Sequence, residues 1–178
     1  RKEKINESLQ QASASFSQGD LRSAERICRD ALSKNGQDPD ILHLMALVVK
    51  EQGLMLRSIE FFDLSLKASR KQPVVWSNKA NLLRSLGQIK EADECYGKAI
   101  KLMPSFRDAL HNRGALELER DNPAKAIRWF EKAQKVDSNV ATTSSLTEAY
   151  IAIEEFGRAA KLLNKTRKKW PNDISILV

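Results

Sequence analysis

Histidine and cysteine are the scarcest chemistry-bearing residues of this chain: His43, His111, Cys28 and Cys95 are all that 178 residues contain. No two of them stand at metal-ligand spacing, so no metal site is expected. There is also no Gly-rich loop of the kind that cradles phosphate. No Ser or Cys has a His–Asp partner set that the sequence suggests, and the acidic residues are scattered over solvent faces. Catalytic residues, cofactor and metal are therefore all expected to be absent, and the stretch is not expected to be an enzyme.

A run of eighteen apolar residues is missing too, so no membrane-spanning helix is expected. The first residue is Arg1 rather than Met, and no basic-then-apolar leader follows it. The sequence is thus expected to be a segment of a longer protein, and a removed signal remains compatible with it. Aromatic residues make up only 6%. Single-stranded nucleic acid would need some of them exposed beside Arg or Lys on one face.

Charge is abundant. Thirty Lys and Arg against twenty-three Asp and Glu give a net charge of +7. The signs are interspersed, which suits a soluble and well-covered helical protein with 42% apolar residues. The exception is Lys165, Arg167, Lys168 and Lys169. Basic side chains in a final helical turn offset the helix dipole, and that reading is preferred here to nucleic acid or an acidic protein.

The stretch that organises the chain is residues 73–106, PVVWSNKANLLRSLGQIKEADECYGKAIKLMPSF. Trp76, Ala80 and Leu83 stand at helical spacings of four and three and form one apolar stripe. Gly87 interrupts the pattern. Ala92, Tyr96 and Ala99 form a second stripe, and Pro104 stops it. The small residue of the second stripe recurs as Ala24, Ser58, Ala92, Ala126 and Ala159. Seven positions later come Ala31, Ser65, Ala99, Ala133 and Thr166, and between them Cys28, Phe62, Tyr96, Phe130 and Leu163.

This order of Trp, small residue, Leu, Gly, Ala, aromatic, Ala and Pro resembles the tetratricopeptide repeat, a helix-turn-helix unit of about 34 residues. Repeats are counted at 5–38, 39–72, 73–106, 107–139 and 140–173. The resemblance implies an all-α fold: an α-solenoid, a right-handed superhelix of five stacked hairpins forming a single array over residues 1–178. Residues 174–178 are apolar and are expected to begin a cap or a further helix.

Local expectations follow along the chain. The first helix should be slipped by one residue, burying Ile5, Leu9, Ala12 and Phe16 rather than Ser8, Gln11 and Ser15. Asn35-Gly36 reads as a left-handed helix end before Pro39. Leu54 or Met55 is expected to fill the slot that Ile89 takes in the third unit, an exposed contact patch being the alternative. Asp121 or Asn122 should cap a helix starting at Pro123. Phe156 counts among the stripe residues of the fifth unit. Arg113 and Glu117 occupy slots that are Leu and aromatic in the family, and are expected to pair at i,i+4. Cys28 and Cys95 fall two repeats apart, on the order of 20 Å by helix packing, too far for a disulfide. Two free thiols fit a reducing compartment, hence a cytoplasmic location.

In the resembled family the first helix of each hairpin lines a concave groove. The inner positions here include His43, Leu44 and Lys50 of the second unit, and Ser77, Asn78, Asn81 and Arg84 of the third. His111 and Asn112 are the counterparts in the fourth. Asn78 and Asn112 repeat at the sixth position, where the arrays of O-linked N-acetylglucosamine transferases carry an asparagine ladder. Gln10, Leu44 and Ser145 fill that position elsewhere. Asn78 and Asn81 match the Asn part of the family's carboxylate-binding motif, with Ser77 where its Lys belongs. The peptide-binding residues are thus expected to be Asn78, Asn81, Arg84, Asn112, His43, Lys50 and His111. Asn78 and Asn112 should be about 10 Å apart by helix packing, a span of about three residues of extended chain. The expected function is a protein-interaction scaffold binding a protein or extended peptide. His43, Lys50 and Arg84 would favour an acidic ligand or a free C-terminal carboxylate; nucleic acid is not expected, and the oligomeric state is open. The alternative is the substrate-presenting arm of a larger enzyme, such as the bacterial glycosyltransferases and sulfotransferases that carry similar arrays.

Overall fold

The recurring small residues all pack. In the computed structural model, which describes residues 2–171, Ala24, Ser58, Ala92, Ala126 and Ala159 are buried, as are Ala31, Ser65, Ala99, Ala133 and Thr166. Side chains this small let two helices of a hairpin approach closely, and any hydroxyl among them needs a partner. Ser58 donates to the Ala46 carbonyl and Ser65 to the Pro39 carbonyl, each at 2.8 Å. Between them Cys28, Phe62, Tyr96 and Phe130 are fully or almost fully buried, with Leu163 half-buried.

Ten helices result, and no strand occurs among the described residues. They are α1 (Lys2–Ser17), α2 (Leu21–Asn35), α3 (Pro39–Glu51), α4 (Met55–Ala68), α5 (Pro73–Ser85), α6 (Ile89–Leu102), α7 (Arg107–Glu119), α8 (Pro123–Val136), α9 (Val140–Ala152) and α10 (Phe156–Lys169). The starts of α3, α5, α7 and α9 coincide with the positions from which the repeats are counted. The class is the α-solenoid of helical hairpins. The helices cluster into two compact units, Arg1–Leu82 and Leu83–Val178, whose boundary falls inside α5. Within the first, α1 packs on α2, α2 on α3 and α3 on α4. Within the second, the same succession runs from α6 to α10. Neighbour-on-neighbour packing is what a repeat array requires.

In the first unit α1 is slipped as expected: Ala12 is buried, Ile5, Leu9 and Phe16 pack against the core, and Gln11 is exposed. That core is completed by Cys28 of α2 and by Ile41, Met45, Val48 and Val49 of α3. A further cluster gathers Ala46, Phe62, Leu66, Val75 and Leu82, with Trp76 against it and its indole N–H donating to the Arg70 carbonyl at 3.1 Å. Both cysteines are free and buried. Burial pushes the Cys28 thiol up to about 11, so it is a packing group rather than a nucleophile.

Turn chemistry recurs with the repeat. Gly19, Gly53, Gly87, Asp121 and Glu154 stand at one position of the five hairpin turns, and all five have positive φ. The last two are L-residues in a conformation that glycine adopts without steric cost. Helix α3 starts with Asp38 accepting from the Asp40 and Ile41 amides ahead of Pro39.

Some local expectations fail. Gly36 ends α2 at φ 77° and ψ −151°, a region open to glycine alone rather than the left-handed helical one. Asn122 precedes Pro123, but its side chain donates to the Arg120 carbonyl and caps nothing. Met55 takes the slot of Ile89, each being the first residue of its helix, but Leu54, Met55 and Leu56 remain 45%, 36% and 72% exposed. Phe156 is 60% exposed. Met55 and Phe156 are each the first residue of their helix. The expected cap at 174–178 lies outside the described residues.

Candidate peptide-binding surface

The polar residues assigned to the first helices are largely bonded to one another. In the first unit, the Asn78 amide nitrogen on α5 is 3.0 Å from Nε2 of His43 on α3. Burial holds the His43 pKa below its usual value, so the ring is neutral at pH 7. With the proton on Nδ1, Nε2 accepts from Asn78, whose amide keeps further hydrogen-bonding capacity. The His43 ring also lies against Phe62, centroids 6.0 Å apart. Lys50 sits 3.0 Å from Glu51.

In the second unit, Nε and Nη2 of Arg84 donate to Oε1 of Glu119 at 2.9 and 2.5 Å. The same guanidinium is bonded to the side chain of Tyr96, whose hydroxyl burial pushes up to about 12. His111 on α7 places Nδ1 3.1 Å from the buried Thr142 hydroxyl of α9, and its ring packs on Phe130 with centroids 5.3 Å apart. Burial, then the nearby Arg107 and Arg84 cations, lower its pKa. Asn81 is exposed and Asn112 half-buried.

The structure therefore joins His43 to Asn78, and sets Arg84 and His111 in links of their own. Leu44 and Ser77, counted as exposed inner positions, are buried. The cations expected to attract a carboxylate are neutral or paired: His43 is uncharged, Lys50 faces Glu51, and Arg84 holds Glu119. Counting positions along a repeat could not reveal this, because each partner comes from another helix or an acidic neighbour. The Arg113–Glu117 pair does not form either. Arg113 Nε instead donates to Asp93 at 2.7 Å, and its guanidinium lies 4.4 Å above the Trp129 ring. Glu117 faces Arg120 at 3.5 Å.

Both histidines have folded-state pKa values below the unfolded 6.5. The unfolded chain then binds more protons as pH falls, so stability is complete above pH 6.5 and declines below it. Melting temperature should drop between about pH 7.5 and about pH 5.5, and the slope should shrink in a His43→Gln, His111→Gln double variant. An equal slope in that variant would assign the loss to other groups. Among the described residues no group of three or more His, Cys, Asp or Glu is placed to hold a metal ion, and no helix is long and apolar enough to cross a membrane.

Comparison with known proteins places these hairpins. Residues 73–106 match the family model of the tetratricopeptide repeat. Protein O-mannosyl-transferase TMTC3 of Mus musculus is 37% identical over 83 residues, 46% of this chain and 9% of that protein. General transcription factor 3C polypeptide 3 of Homo sapiens is 34% identical over 65 residues, 36% of this chain and 7% of that protein. The chain thus spans less than a tenth of the length of these relatives. Among solved structures, Pseudomonas aeruginosa pilF superposes with a TM-score of 0.86 at 20% identity, over 92% of this chain and 75% of that one. MamA superposes with a TM-score of 0.80 at 18% identity, over 95% and 93%. Residues 73–106 are thus matched as a tetratricopeptide repeat, and hairpins that carry the same buried positions lie on either side of it.

Proposed function

We propose that the chain is a protein-interaction module whose first helices hold an extended peptide by its backbone. The observation that carries this is the His43–Asn78 bond. It fixes the rotamer of an amide on the first-helix face before any ligand arrives, which lowers the ordering cost of binding. Asn81 extends the same face of α5, three residues on. In the second unit Arg84, His111 and Asn112 form the corresponding set, with Arg84 already turned toward Glu119. A ligand carboxylate would have to displace Glu119, so an uncharged backbone is the better-matched ligand in this reading.

The relatives support an interaction role in a second way. Similar stretches occur in a protein O-mannosyl-transferase and in a general transcription factor subunit, each time as a small fraction of the chain. Two such different contexts share no chemistry that these residues could supply, whereas both can use a binding module. The first context also favours a second reading, a substrate-presenting arm of a larger enzyme. The complete reading frame separates the two: a catalytic domain outside this stretch would favour the arm.

The direct test is affinity capture of a partner followed by binding measurements. Asn78→Ala should weaken the complex by about 0.5–1.5 kcal/mol, the net worth of a neutral hydrogen bond. Parent-like binding by Asn78→Ala and Arg84→Ala, together with a loss in Lys132→Ala on α8, would sink the first-helix reading.

A further inference from the structure

A cleft of about 580 Å³ opens in the second unit between α8 and α10, the second helices of their hairpins. It is independent of the first-helix surface proposed above. Its floor is apolar, built from Leu146, Leu162 and the buried Thr166. Its walls carry five cations, Lys135 from α8 and Arg158, Lys161, Lys165 and Lys169 from α10, against one carboxylate, Glu131. That carboxylate is occupied. Its Oε1 accepts from the Tyr150 hydroxyl at 2.7 Å and from Arg158 at 3.0 Å. Lys169 reaches the Ser138 carbonyl at 3.4 Å and lies 4.3 Å above the Trp170 ring. Lys135, Lys161 and Lys165 have no ionic or hydrogen-bonding partner among the described residues.

Helix-dipole compensation accounts for Arg167, Lys168 and Lys169, which make up the basic last turn of α10. It does not account for Lys161 and Lys165, which precede that turn. Like charges at i,i+4 oppose helix formation rather than support it. Concentrated around a concave and partly apolar site, they concern a ligand.

We propose that this cleft binds an acidic peptide segment in extended conformation. The register fits. Lys161, Lys165 and Lys169 are four residues apart, which at the helical rise gives steps of about 6 Å. Side chains on one face of an extended chain recur at about 6.6 Å, so alternate Asp or Glu residues meet successive lysines. Lys135 faces the same chain from the other wall. Single-stranded nucleic acid fits less well because it needs successive aromatic platforms. Here Tyr150 is buried and Trp170 is already covered by Lys169.

The probe is a fluorescently labelled peptide of alternating glutamate and serine, followed by anisotropy at low and high salt. A glutamine–serine peptide and an oligothymidine serve as comparisons. Binding of the acidic peptide alone is expected, weakening as salt rises. The exposed pair Lys161→Gln, Lys165→Gln should weaken it roughly five- to tenfold. An equal change of net charge elsewhere, Lys90→Gln with Lys101→Gln, should leave it at the parent level, as should Asn78→Ala. The proposal is overturned if the acidic peptide fails to bind, or if both lysine pairs weaken it equally. Tighter binding of oligothymidine than of the peptide would also overturn it, as a nucleic-acid site. None of these outcomes bears on the first-helix surface, which is read through Asn78 and Arg84.

Discussion

Phe130→Ala is expected to cost the second unit about 3–5 kcal/mol, the range for removing a large, fully enclosed aromatic side chain. Phe130 is fully buried in a cluster with Ala126, Leu146, Ala149 and Tyr150. Two of its neighbours, one of them unusually close, limit its movement. The His111 ring packs on it, and Gly114 of α7 faces it so tightly that a Cβ there would stand 2.6 Å from Cε1. Gly114→Ala is therefore the informative companion. Helix propensity alone would make that change stabilising by about 1 kcal/mol. Overpacking against a ring that cannot swing away costs about 1–3 kcal/mol, so the clash wins and the variant should be less stable than the parent. In the double variant the new methyl group enters the space vacated by Phe130, and the two losses should add to less than their sum. Denaturant unfolding followed by circular dichroism reads all three. A Gly114→Ala variant more stable than the parent would show that α7 and α8 have room to separate.

That contact shows which parts of the molecule were legible in the sequence. Burial at the small positions, the turn at Gly87 and the slipped first helix all follow from spacing, because a repeat places equivalent residues in equivalent surroundings. What spacing cannot supply is the reach of a long side chain. Arg113 has Glu117 one turn away on its own helix, yet it bonds Asp93 of α6, over the flat surface left by Gly97. The His43–Asn78 link is of the same kind, since each position was identified without the side chain that meets it. Lys165 stood out in the sequence as part of a basic helix end assigned to the dipole, but its grouping with Lys161 and Lys135 did not. Lys161 and Lys165 are interspersed with apolar residues along α10, and Lys135 joins them only after α8 and α10 have packed around α9.

Glu117→Leu should stabilise the protein by about 1–2 kcal/mol, an unusual sign for removing a charged residue from an ion-pair network. Glu117 is only 5% exposed, and its Oε2 is buried without a hydrogen-bond partner. A buried polar atom left unpaired costs about 1–3 kcal/mol. The compensation is thin, because Oε1 makes one long contact, 3.5 Å to Arg120. Arg120 does not depend on it, being half-exposed and 3.6 Å from Asp93 as well. Arg113 is held by Asp93 at 2.7 Å and by the face of Trp129. Removing the carboxylate therefore strands no cation, the circumstance in which replacing a buried ion by an apolar side chain is neutral or favourable. The slot suits such a side chain, since the tetratricopeptide family fills it with an aromatic residue. Glu117→Gln separates charge from hydrogen bonding: it removes the buried charge but keeps a polar end without a partner, so it should gain less than leucine. If Glu117→Leu is instead destabilising by more than about 1 kcal/mol, the carboxylate holds the Arg113–Asp93–Arg120 cluster together, and the orphaned oxygen is a tolerated cost of that arrangement.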